Sequence, residues 1–157
     1  MWFDPEFQIE LLHDLKGSSR HGVGRTTRRY QISSSDVVEV DGVWAMSNGT
    51  VTVAVNDCGG NLCGKIIGLK EPISKIDGKP KVDRENPDPS LRKRPLIGLT
   101  ILLGMKPAGE GTWKGAIYNP DDGKTYSATV KYEGSSMKVK GCVAGVFCKT
   151  NTFVKAN

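Results

Sequence analysis

Between residues 42 and 155, apolar side chains recur at every second position in short runs, and clusters of Gly, Asn, Asp and Pro cut the runs apart. A period of two sends one face of each run toward a core and the other toward water, the mark of a half-buried strand. The clearest run is 50–56, where Val51, Val53 and Val55 share one face and Thr52, Ala54 and Asn56 the other. It follows Asn48-Gly49, the strongest short hairpin signal.

The same grammar continues along the chain. Gly42-Val43-Trp44-Ala45-Met46 reads as the first strand. After a turn at 57–61, residues 62–70 give a third strand, with Ile66, Gly68 and Lys70 opposite Ile67 and Leu69. Gly64 and Gly68 mark bends or close backbone approach. Residues 99–105 are nearly all apolar and read as a strand buried on both sides, or as one facing a cavity. Residues 107–111 read as a turn, and 112–118 as a strand with Trp113, Gly115 and Ile117 on one face. Asn119-Pro120-Asp121-Asp122-Gly123 is a dense turn signal. Tyr126, Ala128, Val130 and Tyr132 then share a face, and after Glu133-Gly134-Ser135 the pair Met137 and Val139 alternates with Lys138 and Lys140. A turn is expected at 141–145 and a last strand at 147–155.

That amounts to about eight strands joined mostly by tight turns, as the 19 glycines and 8 prolines also suggest. The expected fold is all-β: an eight-stranded antiparallel up-and-down barrel, whose interior is either just filled or holds one small ligand. Closure also removes the exposed edges of a small sheet. With 157 residues and 38% hydrophobic content, one domain with one modest core is expected.

Residues 1–35 differ from the rest. Asp4-Pro5-Glu6 is a helix start, and Phe7, Leu11 and Leu15 repeat at helical spacing up to Gly17, so 4–16 is a short amphipathic helix candidate. From 18 to 35 the chain is rich in Arg, Ser and Thr and reads as a flexible linker. The division expected is an N-terminal extension, 1–35, and a barrel domain, 36–157. The extension is expected to add nothing to the fold; the alternative is a membrane-surface or partner-binding arm.

No apolar run approaches the ~20 residues of a membrane helix. No secretory signal is visible at the start of the sequence. A net charge of +5 suits anionic ligands or envelope surfaces but lacks the clustered basic footprint of a nucleic-acid binder, so no nucleic-acid partner is expected. The four cysteines form two local pairs, Cys58 with Cys63 and Cys142 with Cys148, which favours two local disulfides over free buried thiols. A zinc site is disfavoured because Cys-x2-Cys spacing is missing and His13 and His21 both lie in the N-terminal extension.

The long connection at 71–98 breaks the strand grammar. Its segment 83–98 holds three of the eight prolines and a dense mix of charges. Asp88 is placed to cap a single helical turn with Pro89 at its first position. In one reading this is an ordered loop, in which Asn86 and Asp88 hydrogen-bond their own backbone and the arginines reach back to carbonyls or carboxylates. In the other it is an anion site made by Arg92 and Arg94 at the rim of a cavity.

No nucleophile–base pair presents itself, because the strand region holds no histidine. Phosphate-loop and dinucleotide signatures are missing too. Asp121-Asp122 is first a hairpin turn. Trp44, Trp113, Tyr118, Tyr126, Tyr132 and Phe153 are spread one or two per strand, as core or cavity lining rather than a stacking platform.

Several of these stretches together resemble a known family. They are Gly42-Val43-Trp44; Cys58-Gly59-Gly60-Asn61-Leu62-Cys63-Gly64-Lys65-Ile66; Gly78-Lys79-Pro80-Lys81 with Asp83; Asn86-Pro87-Asp88-Pro89-Ser90-Leu91-Arg92 with Arg94-Pro95-Leu96 and Gly98; 113–115 with 117–126; and 138–142 with 148–150. The chain over about 40–155 is similar to domain-of-unknown-function family 2147, small exported bacterial proteins. The resemblance implies a lipocalin-like barrel, in the periplasm or secreted, with no established reaction. It also implies that Gly42-x-Trp44 packs across one end of the barrel beside a basic residue of the last strand, here Lys155. This chain has Phe153 and Lys155 where the family usually shows Trp and Arg, which should weaken that stack.

The function expected is non-enzymatic binding of a small hydrophobic or amphipathic ligand in the cell envelope, with no cofactor and no metal. The ligand residues expected are Arg92, Arg94, Asp83 and Asn86, with Trp113 and Tyr126 from the strands. The alternative is a structural or interaction module acting through its surface. A third, weaker reading is polyanion binding through Lys79, Lys81, Arg92, Lys93 and Arg94.

Overall fold

A computed structural model of the protein describes residues 40–156. The expected helix at 4–16, the linker at 18–35 and the boundary after 35 lie outside the described residues. Eight strands follow in order: β1 (Gly42–Met46), β2 (Val51–Cys58), β3 (Asn61–Leu69), β4 (Thr100–Gly109), β5 (Thr112–Asn119), β6 (Lys124–Tyr132), β7 (Ser136–Val143) and β8 (Phe147–Lys155). Each pairs antiparallel with the next, and β1 pairs with β8 through Trp44–Lys155, Ala45–Val154 and Met46–Phe153, so the sheet closes. The expected lipocalin-like up-and-down barrel is the fold observed.

The period-two pattern sets the interior. Val51, Val53, Val55, Ile66, Trp113, Val130, Met137, Val139 and Phe153 all point inward, and none is more than 2% exposed. A side chain lining a water-sized void would carry accessible area, so around these residues the barrel is filled with side chains. Of the two expected interiors, the filled one is found.

Trp44 is fully buried in β1 and donates from its ring nitrogen to the Val40 carbonyl at 2.8 Å. The Tyr132 ring meets it edge-on at 6.1 Å, and Lys155 Nζ lies 5.5 Å from the centre of its ring. Lys155 therefore takes the basic position beside the Gly42-x-Trp44 motif.

Three boundaries differ from expectation. Residues 107–111 are not one turn: β4 runs on to Gly109, Pro107 stands opposite Trp113, and the register shifts on either side of it. That irregular ladder tolerates a residue with no N–H to give. Nor is 141–145 a turn, because β7 continues to Val143, with Cys142 directly opposite Cys148. Finally, 99–105 is not buried on both sides. Register shifts between β3 and β4 leave the neighbours Ile101 and Leu102 both buried while Leu103 is 37% exposed. The shift centres on Gly64, where an added Cβ would lie 2.6 Å from Leu102 Cδ1, so Gly64 is the close approach expected of it.

The disulfides are Cys58–Cys63 and Cys142–Cys148, joining β2 to β3 and β7 to β8. Among the described residues, no helix is long and apolar enough to cross a membrane, and no three or more His, Cys, Asp or Glu side chains are grouped so as to hold a metal ion.

Candidate functional site: a groove under a strap

The chain between β3 and β4, residues 70–99, neither joins the barrel nor hangs free. It folds on itself through short bridges, Ile73 with Pro80 and Val82 with Pro95, and Leu96 N–H donates to the Lys81 carbonyl at 3.1 Å. Its return to the barrel is fixed by Gly98 N–H on the Ile66 carbonyl at 2.7 Å and Ile66 N–H on the Leu99 carbonyl at 2.9 Å. Within it, Asp88 accepts from Ser90 N–H at 2.9 Å and caps the 3-10 turn Pro89–Leu91, with Pro89 at its start. Asn86 Oδ1 accepts from Asp88 N–H at 2.8 Å, and Arg92 Nε donates to the Asn86 carbonyl at 2.7 Å. The ordered-loop reading of this segment therefore holds in detail.

What ties this strap to the barrel is one buried carboxylate. Asp83 is fully buried and accepts three hydrogen bonds: from Tyr118 Oη at 2.6 Å, Asn86 Nδ2 at 2.8 Å and Arg94 Nε at 2.8 Å. Asn86 Nδ2 also reaches Tyr118 Oη at 3.2 Å, and the Asp83 N–H donates to the Arg94 carbonyl at 2.9 Å. A carboxylate taken out of water needs such compensation. Burial, then the bond to Asp83, pushes the Tyr118 hydroxyl up to about 12.

Tyr118 shows which side of the wall the strap covers. Along β5, Trp113 and Ile117 face inward, so alternation places Tyr118 on the outer face with the exposed Lys114. It is nevertheless only 6% exposed, because the strap lies over it. Sequence reasoning counted it among aromatics of the core or a cavity lining, and it lines the groove described next; the signal for the outer face was that Tyr118 falls out of step with Trp113 and Ile117.

Between the strap and the outer wall of β4, β5 and β6 runs a groove of about 700 Å³. Pro95, Ile97 and Leu103 give it apolar surface, and Arg94, Thr100 and Thr125 give it polar groups. Gly123, in the β5–β6 turn, presses directly against the strap: a Cβ there would collide with the Glu85 carbonyl.

The expected ligand residues divide. Asp83, Asn86 and Arg94 come together, and Asn86 and Arg94 line the groove. Arg92 is adjacent but does not line it, and of the two arginines expected at a cavity rim only Arg94 is there. Trp113 is part of the filled core, on the inner side of the wall. Tyr126 is half-buried against that core and donates to Asp122, a bond that, after burial itself, helps push its hydroxyl up to about 12. Asp122 also accepts from Lys124 N–H at 2.9 Å, as a hairpin-turn residue does. Thr100 and Leu103 lie in the stretch 99–105 that the sequence offered as facing a cavity, although neither was singled out, and Thr125 was missed because it lies in β6 as an ordinary outward residue.

A second cavity, about 400 Å³, lies near the start of β2 and the end of β3 and is lined by Thr50, Leu69, Lys70, Glu71, Lys81 and Asp121. Its charges are mixed and its apolar surface slight.

Comparison with known proteins gives a family and a fold. The profile described as "Uncharacterized protein conserved in bacteria (DUF2147)" matches residues 42–155. Among solved structures, protein HP1028 from the human pathogen Helicobacter pylori, described as belonging to the lipocalin family, is similar at 22% identity with a TM-score of 0.64. The alignment covers 81% of this chain and 85% of that one. The octameric penicillin-binding protein homologue from Pyrococcus abyssi aligns at 13% identity over 76% of this chain and 19% of that one, with a TM-score of 0.41, too low to bear on fold or function. No curated protein matches.

Proposed function

The chain belongs to the bacterial family DUF2147, and from that premise we propose that it is a non-enzymatic binder of a small, partly apolar ligand in the cell envelope, with the groove beneath the strap as its site. The observation that carries this reading is a groove of about 700 Å³ set against a barrel filled with side chains. That volume suits a small organic ligand, and its mixed lining suits one with both an apolar and a polar part. Two disulfides fit an oxidising compartment.

The test is the intact mass of the protein purified from its own cells, first under native and then under denaturing conditions. Extra mass that leaves on denaturation, and that is lost when Leu103→Trp fills the groove, is the expected result. A bare chain under native conditions overturns the reading.

A second reading, an interaction module acting through its surface, is favoured by the β7–β8 tip. Val143, Val146 and Phe147 there are 38%, 59% and 43% exposed, an apolar cluster at a hairpin end. Sedimentation of the wild type against Phe147→Ser decides it: a faster wild-type species lost in the variant supports self-association through the tip, and identical monomers remove that form of the reading.

A further inference from the structure

We infer that the groove selects a ligand bearing a single carboxylate, which docks on the two terminal nitrogens of Arg94 while the apolar body lies along Ile97 and Leu103. This rests on the groove being the binding site, as proposed above.

Arg94 is already half committed. A guanidinium has five N–H donors in a rigid fork. Arg94 gives the one on Nε to Asp83 at 2.8 Å, and its guanidinium makes no other hydrogen bond among the described residues. Its side chain is 37% exposed and lines the groove. The terminal nitrogens are thus the part left for a ligand. Their plane is fixed from two sides: Asp83 holds Nε, and the guanidinium carbon lies 5.8 Å from the centre of the Tyr118 ring. Little side-chain freedom remains to be lost on binding. Two parallel N–H donors match the two oxygens of a carboxylate.

Charge sets the valence. Arg84 is paired with Asp77 at 3.2 Å, so the cation at the groove is Arg94, which already faces the buried Asp83. A single guanidinium beside Asp83 can meet one negative charge; a second would sit uncompensated near that carboxylate. The exposed Thr100 and Thr125 add hydroxyl donors at the same wall. Beyond them Ile97 and Leu103 leave apolar surface open, 49% and 37% exposed, which an apolar body would cover. Arg92 offers no such site, since it does not line the groove.

The experiment loads the full chain with a neutral, fluorescent naphthylamine probe and displaces it with decanoate, decanol or decyl phosphate. Decanoate is expected to displace it at a concentration at least about tenfold below that of decanol, the worth of a charge-assisted hydrogen bond. Decyl phosphate is expected to be no better than decanoate. In Arg94→Lys, which keeps a cation for Asp83 but loses the fork, the preference for decanoate is expected to shrink below about threefold with probe binding kept. Without any variant, the Arg94 terminal-nitrogen resonances of labelled protein should move with decanoate and not with decanol. Equal potency of decanoate and decanol, a stronger decyl phosphate, or unmoved Arg94 resonances overturn the carboxylate assignment and leave the groove standing. A probe that does not bind, or binds equally well to Leu103→Trp, overturns both.

Discussion

Tyr118 Oη donates to Asp83 at 2.6 Å across 35 residues of sequence, and through that bond the outer wall of the barrel holds the strap. Replacing Tyr118 by Phe removes one of three donors to a fully buried carboxylate. The expected cost is about 1–3 kcal/mol. Urea denaturation reads the loss, and trypsin should cut faster after Arg92 and Lys93 in the variant as the strap loosens. An unchanged midpoint and cutting rate would mean that the strap is held elsewhere.

Alkaline titration reads the same contact. The Tyr118 hydroxyl ionises at about 12 in the folded protein against the ordinary 10, chiefly through burial and then through Asp83. The fold favours its protonated form, so that contribution to stability is complete below pH 10 and is lost as pH rises from 10 to 12. Tyr126, raised to about 12 by burial and then by Asp122, behaves likewise. The tyrosinate absorbance should show a late step that diminishes in Tyr118→Phe, and the stability of that variant should fall less steeply over the same range.

Much of the fold was legible in the sequence and the site only partly. The run Val51, Val53, Val55 and the turn at Asn48-Gly49 fix a strand and a hairpin by local physics, and eight such units give a barrel. Pro107 misled because local turn preference was overridden by an irregular ladder that pairs it with Trp113. Asp88, Asn86 and Arg92 were legible because their partners are within a few residues. Tyr118 was not, because its burial comes from a segment more than thirty positions away. Trp113 looked like a ligand residue only as long as the barrel could be hollow; complete burial makes it core.

The two disulfides close loops with sequence separations of 5 and 6 residues. Loops so short restrict the unfolded chain little, and each bridge should contribute about 2 kcal/mol. They lie at opposite ends of the barrel, so the losses in Cys58→Ser/Cys63→Ser and Cys142→Ser/Cys148→Ser should add in the fourfold variant. Chemical denaturation of the three proteins checks this, with the barrel's circular dichroism retained throughout.

Gly123 joins the turn to the strap. At φ 70 it holds a conformation that suits glycine, and its missing side chain lets the Glu85 carbonyl come close. Gly123→Ala should cost about 1–3 kcal/mol for the backbone conformation, with the displacement of the strap in addition. Because Gly123 also lines the groove, the variant should bind the naphthylamine probe more weakly, read by fluorescence, whereas Gly134→Ala, at a distant turn of similar φ, should leave binding intact.

The most direct measurement is residue-resolved mapping of the bound naphthylamine probe by amide chemical shifts. The account predicts that the shifts concentrate at Arg94, Ile97, Thr100, Leu103 and Thr125, on the strap and the outer wall. Shifts concentrated at Val53, Ile66, Trp113 and Val139 would put the ligand inside the barrel and contradict it.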